Sequence, residues 1–369
     1  MKATQMLHDE GQSLWLDNIT RTLLDDGVLQ KYIDELSITG LTSNPTIFDH
    51  AIKNSAAYDS AIAEKMRQGK SGEVLFFELA MEDLSRAAEL FRAVHKETNG
   101  VDGWVSLEVS PLIAYDTADT VAAAKKLHDQ APANMFIKIP GTKEGLPAIE
   151  DAIFAGVPIN VTLLFSREQY LAAADAFLRG IERRIDAGLN PLVDSVASVF
   201  VSRWDVAVEG KVPEILQDQL GIAVAKRIYK AASALLSSPR WQRVYNLGGR
   251  PQRLLWASTG TKDPKASDIL YIKSLAAPFT VNTMPEATLK ALATHTQLGE
   301  LLPVDGGNCE EVLAQFGSAG INVDALAAQL QTEGAESFVK SWNDLMAVIA
   351  SKSASLEKNA PLKTIGYSS

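Results

Sequence analysis

Residues 135–145 read "MFIKIPGTKEG". From Met135 to Pro140 the run has the β-branched and aromatic content of a buried strand, yet Lys138 stands in its middle. An ammonium in an apolar strand is costly unless it is paired or loses its charge. An edge position, or a stem that snorkels to solvent, would account for it without any function.

Seven further runs share this strand character. They are "SLWLDNI" (13–19), "ITGLTSN" (38–44), "GWVSLEVS" (103–110), "VPINVTLLF" (157–165), "SVASVFVS" (195–202), "RLLWAST" (253–259) and "FTVNTMP" (279–285). Helical periodicity fills the gaps, as in 73–97, 166–188 and 222–236. Strands alternating with helices imply βαβ units and a parallel sheet. Eight such units predict an α/β fold of the closed (β/α)8 barrel type, with a doubly wound open sheet as the alternative. Residues 45–102 add two helical patterns between the second and third strands, and 296–369 form a helical C-terminal extension. No Pro/Gly/Ser-rich linker divides the chain, so residues 1–369 read as a single domain with these additions.

Composition excludes several function classes. The chain is 46% hydrophobic and 22% charged with a net charge of −10, which is ordinary for a globular protein and argues against nucleic-acid binding. The longest stretch without Asp, Glu, Lys or Arg runs from Ala152 to Ser166, too short to span a bilayer. The start, "MKATQMLHDEGQ", has no apolar signal-peptide core. A single cysteine, Cys309, rules out an intrachain disulfide and fits a reducing, cytoplasmic setting. Histidines at 8, 50, 95, 128 and 295 show no ligand spacing, so neither a metal site nor a cofactor is expected.

Strand side chains alternate between faces, and in a barrel the outer face packs on helices. With Met135, Ile137 and Ile139 outward, Phe136 and Lys138 point in. The same parity turns Ser106, Glu108 and Ser110 inward, with Trp15 and Asp17, Asn160 and Thr162, and Ser198 and Phe200. Thr42 and Asn44 share one face of the second strand, as do Trp256 and Ser258 of the seventh. These polar groups gather near the C-terminal ends of their strands, where barrels carry their active sites. A purely structural plug of one ammonium, two carboxylates and two amides would be expensive to bury, so a site is the better reading. Lys138 then faces a pocket with Asp17 and Glu108 as charge partners.

There is no P-loop, no G-x-G-x-x-G after a strand, and no histidine on the inward face for a Ser/His/Asp arrangement. A lysine with two carboxylates and several hydroxyls and amides suits imine chemistry on a carbonyl substrate. The amine attacks a ketone, and the resulting iminium draws electrons from an adjacent C–C bond. A carboxylate meanwhile takes the proton of the β-hydroxyl, which gives a retro-aldol cleavage.

From about residue 10 to 300 the chain resembles the transaldolases, class I aldolase-type barrel enzymes of the pentose phosphate pathway. The resemblance rests on "GLTSNPTIF" (40–48), "FIKIPGTKEGLPAIE" (136–150), "INVTLLFSREQY" (159–170), "VASVFVSRWD" (196–205) and "LLWASTGTKDP" (254–264). It implies a Schiff base on Lys138, Asp17 as base for the C4 hydroxyl, and Glu108 moving protons through a water. It implies that Asn44 and Asn160 hold the dihydroxyacetone hydroxyls with Thr42, Thr162 and Ser198 nearby, and that Arg203 and Ser258 bind the sugar phosphate. The implied partners are small sugar phosphates, and the donor is sedoheptulose 7-phosphate or fructose 6-phosphate.

One departure stands out. Better-known members carry an arginine two residues after the serine matched by Ser258, where this chain has Gly260. Lys262, in the same loop, is the candidate replacement cation, set against an ordinary solvated lysine. Arg240, Arg243, Arg250, Arg253 and Lys265 form a local excess of positive charge, read either as an anion-steering patch or as ordinary surface charge. The nearest rival activity is an aldolase that releases free dihydroxyacetone. The resemblance places Phe200 near the enamine carbon, where a tyrosine would supply an extra acid, and so implies transfer. A non-catalytic sugar-phosphate sensor would be expected to lack the lysine or a carboxylate. Oligomeric state has no signal in the sequence, and the tail "SKSASLEKNAPLKTIGYSS" (351–369) either closes over the pocket or lies free.

Overall fold

The computed structural model describes residues 2–359. Eight strands form one parallel sheet: β1 (Ser13–Asp17), β2 (Ile38–Thr42), β3 (Val105–Glu108), β4 (Met135–Pro140), β5 (Ile159–Leu164), β6 (Ser195–Phe200), β7 (Arg253–Ala257) and β8 (Val281–Met284). Each lies within a run read as a strand from the sequence. Their order, β2-β1-β8-β7-β6-β5-β4-β3, wraps the sheet into a (β/α)8 barrel.

The barrel closes between β2 and β3 through little more than one bridge, Gly40 to Trp104. Leu41 N donates to Trp104 O at 3.0 Å and Gly103 N donates to Thr39 O at 2.9 Å. Gly40 is required there: a Cβ would stand 2.6 Å from Trp104 O and 2.7 Å from the Trp15 indole.

Two features tie down this weak seam. Trp104 stacks on Phe136 with ring centroids 4.1 Å apart, and Trp15 lies 6.2 Å from Phe136, which makes an aromatic layer across the barrel interior. Below it, at the N-terminal end, Asp102 accepts from Trp15 Nε1 at 2.8 Å, from Gly103 N at 3.0 Å and from Ser13 Oγ. Arg253 donates to Ser13 Oγ at 2.7 Å, to Thr280 O at 3.0 Å and to Val101 O at 2.9 Å. The network joins β1, β7, β8 and the loop into β3.

Arg253 is therefore floor rather than surface charge, only 6% exposed. Arg250 pairs with Asp194, while Arg240 and Arg243 pair with Asp175 and Glu182. The suggested cationic steering patch is thus mostly neutralised by partners.

Between β2 and β3 run three helices, Pro45–Lys53, Asp59–Arg67 and Gly72–Glu97, one more than the two patterns read from the sequence. The chain breaks helical hydrogen bonding between Lys53 and Asp59, where Ser55 Oγ accepts from Ala57 N. Beyond β8 come helices Glu286–Thr294, Cys309–Ser318 and Val323–Asn359. The last, 37 residues long, spans about 55 Å at 1.5 Å per residue. It crosses the C-terminal mouth of the barrel. Of the tail 351–369, for which closure or freedom was considered, residues 351–359 belong to this helix and the rest lies outside the described residues. Among the described residues no helix is long and apolar enough to cross a membrane.

Candidate active site

At the C-terminal mouth a cavity of about 250 Å³ is lined by nine of the twelve residues singled out from the sequence. They are Asp17, Thr42, Asn44, Lys138, Thr162, Ser198, Phe200, Arg203 and Ser258. Strand register explains most of this. Glu108 pairs with Lys138, Lys138 with Asn160, and Asp17 with Thr42, and parallel neighbours share a face.

Lys138 is buried on the aromatic layer. Its Nζ lies 3.2 Å from Glu108 Oε2 and donates to Ser43 O at 3.1 Å. Burial pushes the Glu108 carboxyl above its ordinary range, the Lys138 ammonium pulls it back down, and Asp17 adds to the rise. Neither Glu108 oxygen has a well-aligned hydrogen bond among the described residues. A buried, loosely held carboxyl of this kind takes up and returns a proton readily.

Asp17 also sits above the usual carboxylate range because of burial, opposed by Lys138, the Thr42 hydroxyl and Lys262. Thr42 Oγ1 donates to Asp17 at 2.8 Å and lies 2.6 Å from Thr283 Oγ1, which orients the carboxylate toward the cavity. Asn44 Oδ1 caps helix Pro45–Lys53 by accepting from Ile47 N at 3.1 Å. The cap fixes the side chain and leaves its NH2 to donate into the cavity.

Asn160 and Glu108 stand just behind the lining. Asn160 donates to Ser106 Oγ at 3.1 Å and accepts from Ser198 Oγ at 2.7 Å, so it sets the Ser198 hydroxyl. Thr162 Oγ1 is buried with no protein partner among the described residues, and it faces the cavity. Lys262 does not line this cavity. It is exposed and borders a separate cavity with Asp218, Asp263 and Tyr271.

Three parity readings need correction. Ser198 pairs with Leu255 and Phe200 with Ala257, so Leu255 and Ala257 face in and Trp256 faces out. Ser258 reaches the cavity because it lies past the strand end with φ 54°, a left-handed backbone that reverses the alternation. In β5 the register shifts between Val161 and Leu164, and Leu163 takes φ 59°. Leu163 accordingly turns toward Gly334 of the C-terminal helix, where alternation from the inward Asn160 and Thr162 would point it outward. Ser110 lies past β3 and donates to Glu73 at 3.1 Å, away from Lys138.

Sequence reasoning missed Thr46, Ile47, Ala257, Thr283, Ser337 and Phe338 as lining residues. Alternation within "FTVNTMP" held a signal for Thr283, whose neighbour in β1 is the inward Trp15. Phe338 had none, since an aromatic on an amphipathic helix reads as core.

A buried lysine between two carboxyls, ringed by hydroxyl and amide groups and flanked by Arg203, can form an imine with a polyhydroxylated, anionic carbonyl compound. Among the described residues no group of three or more His, Cys, Asp or Glu is placed to hold a metal ion. Residues 14–349 match the family model described as transaldolase/fructose-6-phosphate aldolase. The chain belongs to this family. It is 42% identical over 360 residues to a transaldolase of Thermobifida fusca, covering 95% of this chain and 98% of that one. A transaldolase of Arthrobacter sp. is 40% identical over 365 residues, with 96% and 98% covered. A Streptomyces coelicolor protein named transaldolase 2 is 38% identical over 371 residues, with 98% and 99% covered. The family-model match extends into the mouth-crossing helix as far as Ile349, eleven positions past Phe338.

Proposed function

We propose that this protein is a transaldolase that moves a dihydroxyacetone unit from a ketose phosphate to an aldose phosphate through a Schiff base on Lys138. The observation that carries the reading is the Lys138 amine held between Glu108 and a cavity whose wall presents Asp17. The lysine proton passes to Glu108, and the free amine adds to C2 of sedoheptulose 7-phosphate or fructose 6-phosphate. Glu108 returns the proton, through a water, as the carbinolamine loses hydroxide and becomes an iminium. Asp17 then takes the C4 hydroxyl proton. The C3–C4 bond breaks, its electrons neutralise the iminium as an enamine, and the aldose phosphate leaves. The acceptor aldehyde runs the same steps backward.

Asn44, Thr162, Ser198 and Thr42 are assigned to the hydroxyls of the three-carbon unit, with Asn160 acting through Ser198, and Arg203 and Ser258 to the phosphate. Phe200, stacked under Arg203 with its ring centroid 5.0 Å from Cζ, brings no acid to the enamine and so favours transfer over release. The acceptor-omission assay tests this. With fructose 6-phosphate alone, dihydroxyacetone appears slowly, and adding erythrose 4-phosphate accelerates turnover many-fold. Fast release without acceptor would make the protein an aldolase instead.

Lys262 is assigned as the cation that takes the place left by Gly260. Its charge lowers the Asp17 carboxyl against the effect of burial, and it follows Ser258 by four positions in the loop after β7. Lys262→Ala is expected to raise KM for phosphorylated donors roughly 10-fold or more, the loss of one charge-assisted hydrogen bond. KM for unphosphorylated fructose stays level. Equal KM for fructose 6-phosphate in both proteins would sink the assignment. A cytoplasmic setting is part of the proposal, supported by the single cysteine.

A further inference from the structure

The mouth-crossing helix does more than cover the barrel. Gln331 donates to both Gly141 O and Leu163 O at 3.0 Å, the carbonyls at the ends of β4 and β5. Four residues separate Gly334 from Phe338, so both lie on the face turned toward the barrel. At Gly334 a Cβ would stand 2.9 Å from Leu163 Cδ2 and 3.2 Å from Arg203 Nη1, and its absence lets the helix approach. The Phe338 ring centre then lies 5.9 Å from Lys138 Nζ and 5.9 Å from Arg203 Cζ, and the side chain is 5% exposed. Farther along, Trp342 Nε1 donates to Glu73 at 3.0 Å, holding the helix in place.

We propose that Phe338 is a specificity-determining residue that keeps water from the lysine-bound enamine and so commits it to an aldehyde acceptor. The inference rests on the transaldolase reading of the site. The enamine carbon has two fates. In transfer it forms a C–C bond to the aldehyde carbon, and the aldehyde oxygen takes a proton from Asp17. In release it takes a proton that derives from water. Water then adds to C2 of the iminium, the C–N bond breaks, and dihydroxyacetone and the free amine result. Hydrolysis of the iminium at C2, with the water that Glu108 handles, ends both routes, so the proton added to the enamine carbon is the step that separates them. The apolar ring beside Lys138 displaces the water that would deliver that proton, and it leaves the aldehyde route open.

The test compares wild type, Phe338→Ala and Phe338→Leu in D2O with fructose 6-phosphate, with and without erythrose 4-phosphate. Transfer and release are quantified together, and release is recognised by dihydroxyacetone carrying one carbon-bound deuterium. Phe338→Ala is expected to raise the ratio of release to transfer by roughly 10-fold or more. Phe338→Leu, which keeps apolar bulk, holds the ratio within about threefold of wild type. A fall of both routes in parallel in Phe338→Ala, with the ratio unchanged, would show a merely structural role and overturn the proposal. So would an equal rise in the leucine variant. Wild-type protein that performs no transfer overturns the reading of the site itself, a result distinct from either.

Discussion

Lys138→Ala is expected to abolish the borohydride-trapped adduct with fructose 6-phosphate and to lower kcat by a factor on the order of 10⁴ to 10⁶, as deletion of a covalent nucleophile does. Peptide mass mapping of reduced wild-type protein places the dihydroxyacetone adduct on Lys138. A wild-type adduct on another lysine, or an alanine variant with near-normal turnover, would remove the imine mechanism from this residue. The substitution also has a stability signature. Asp17 and Glu108 are already raised by burial, with Lys138 the main force opposing it. Without the ammonium both move further up. A carboxyl raised in the folded state favours folding below its unfolded value, about 4, and that contribution is lost as pH rises through the folded value. Urea melts of Lys138→Ala should therefore show stability falling, relative to wild type, between mildly acidic and neutral pH. A pH-independent difference would mean that the carboxyls do not depend on Lys138.

Asp102→Ala is expected to destabilise the fold by about 3–5 kcal/mol, the loss that follows when a buried ionic network is broken on one side. Burial presses the Arg253 guanidinium toward its neutral form, and Asp102 is the main group opposing this, with Asp194 second. Removing Asp102 leaves that charge with Ser13 and backbone carbonyls, and it frees Trp15 Nε1 and Gly103 N at the seam where β2 and β3 barely pair. Equilibrium denaturation reads the loss. Asp102→Asn, which keeps an acceptor without the charge, should fall between the two. The site lies at the opposite end of the barrel, so kcat per folded molecule stays near wild type. A change within about 0.5 kcal/mol would class the network as dispensable.

These two residues also mark how far the sequence could be read. Lys138 announced itself because a charge in an apolar strand breaks a local pattern, and period-2 counting from it found Asp17, Glu108, Thr162 and Ser198. Arg253 fits no such pattern. It opens its strand beside other basic residues, and its burial follows from strand register across β6, β7 and β8. Ser258 was assigned to the right place by the wrong route. Alternation carried it inward with Trp256, whereas the structure turns Trp256 out and brings Ser258 in through a left-handed residue. Such a residue is stabilised by its surroundings and leaves no trace in hydrophobic period.

By itself the sequence determined the eight strands, the helices between them, and a polar face carrying the lysine and two carboxyls. All of these follow from periodicities of two and 3.6 residues, which are local properties of the backbone. The tertiary structure decided how the barrel closes, which residues past the strand ends enter the cavity, and that Phe338 covers Lys138. Two hundred positions of chain separate that pair. Their contact depends on Gly334 allowing a helix to settle against Leu163 and Arg203. Packing between distant surfaces is set by shape, and shape exists only once the chain has folded.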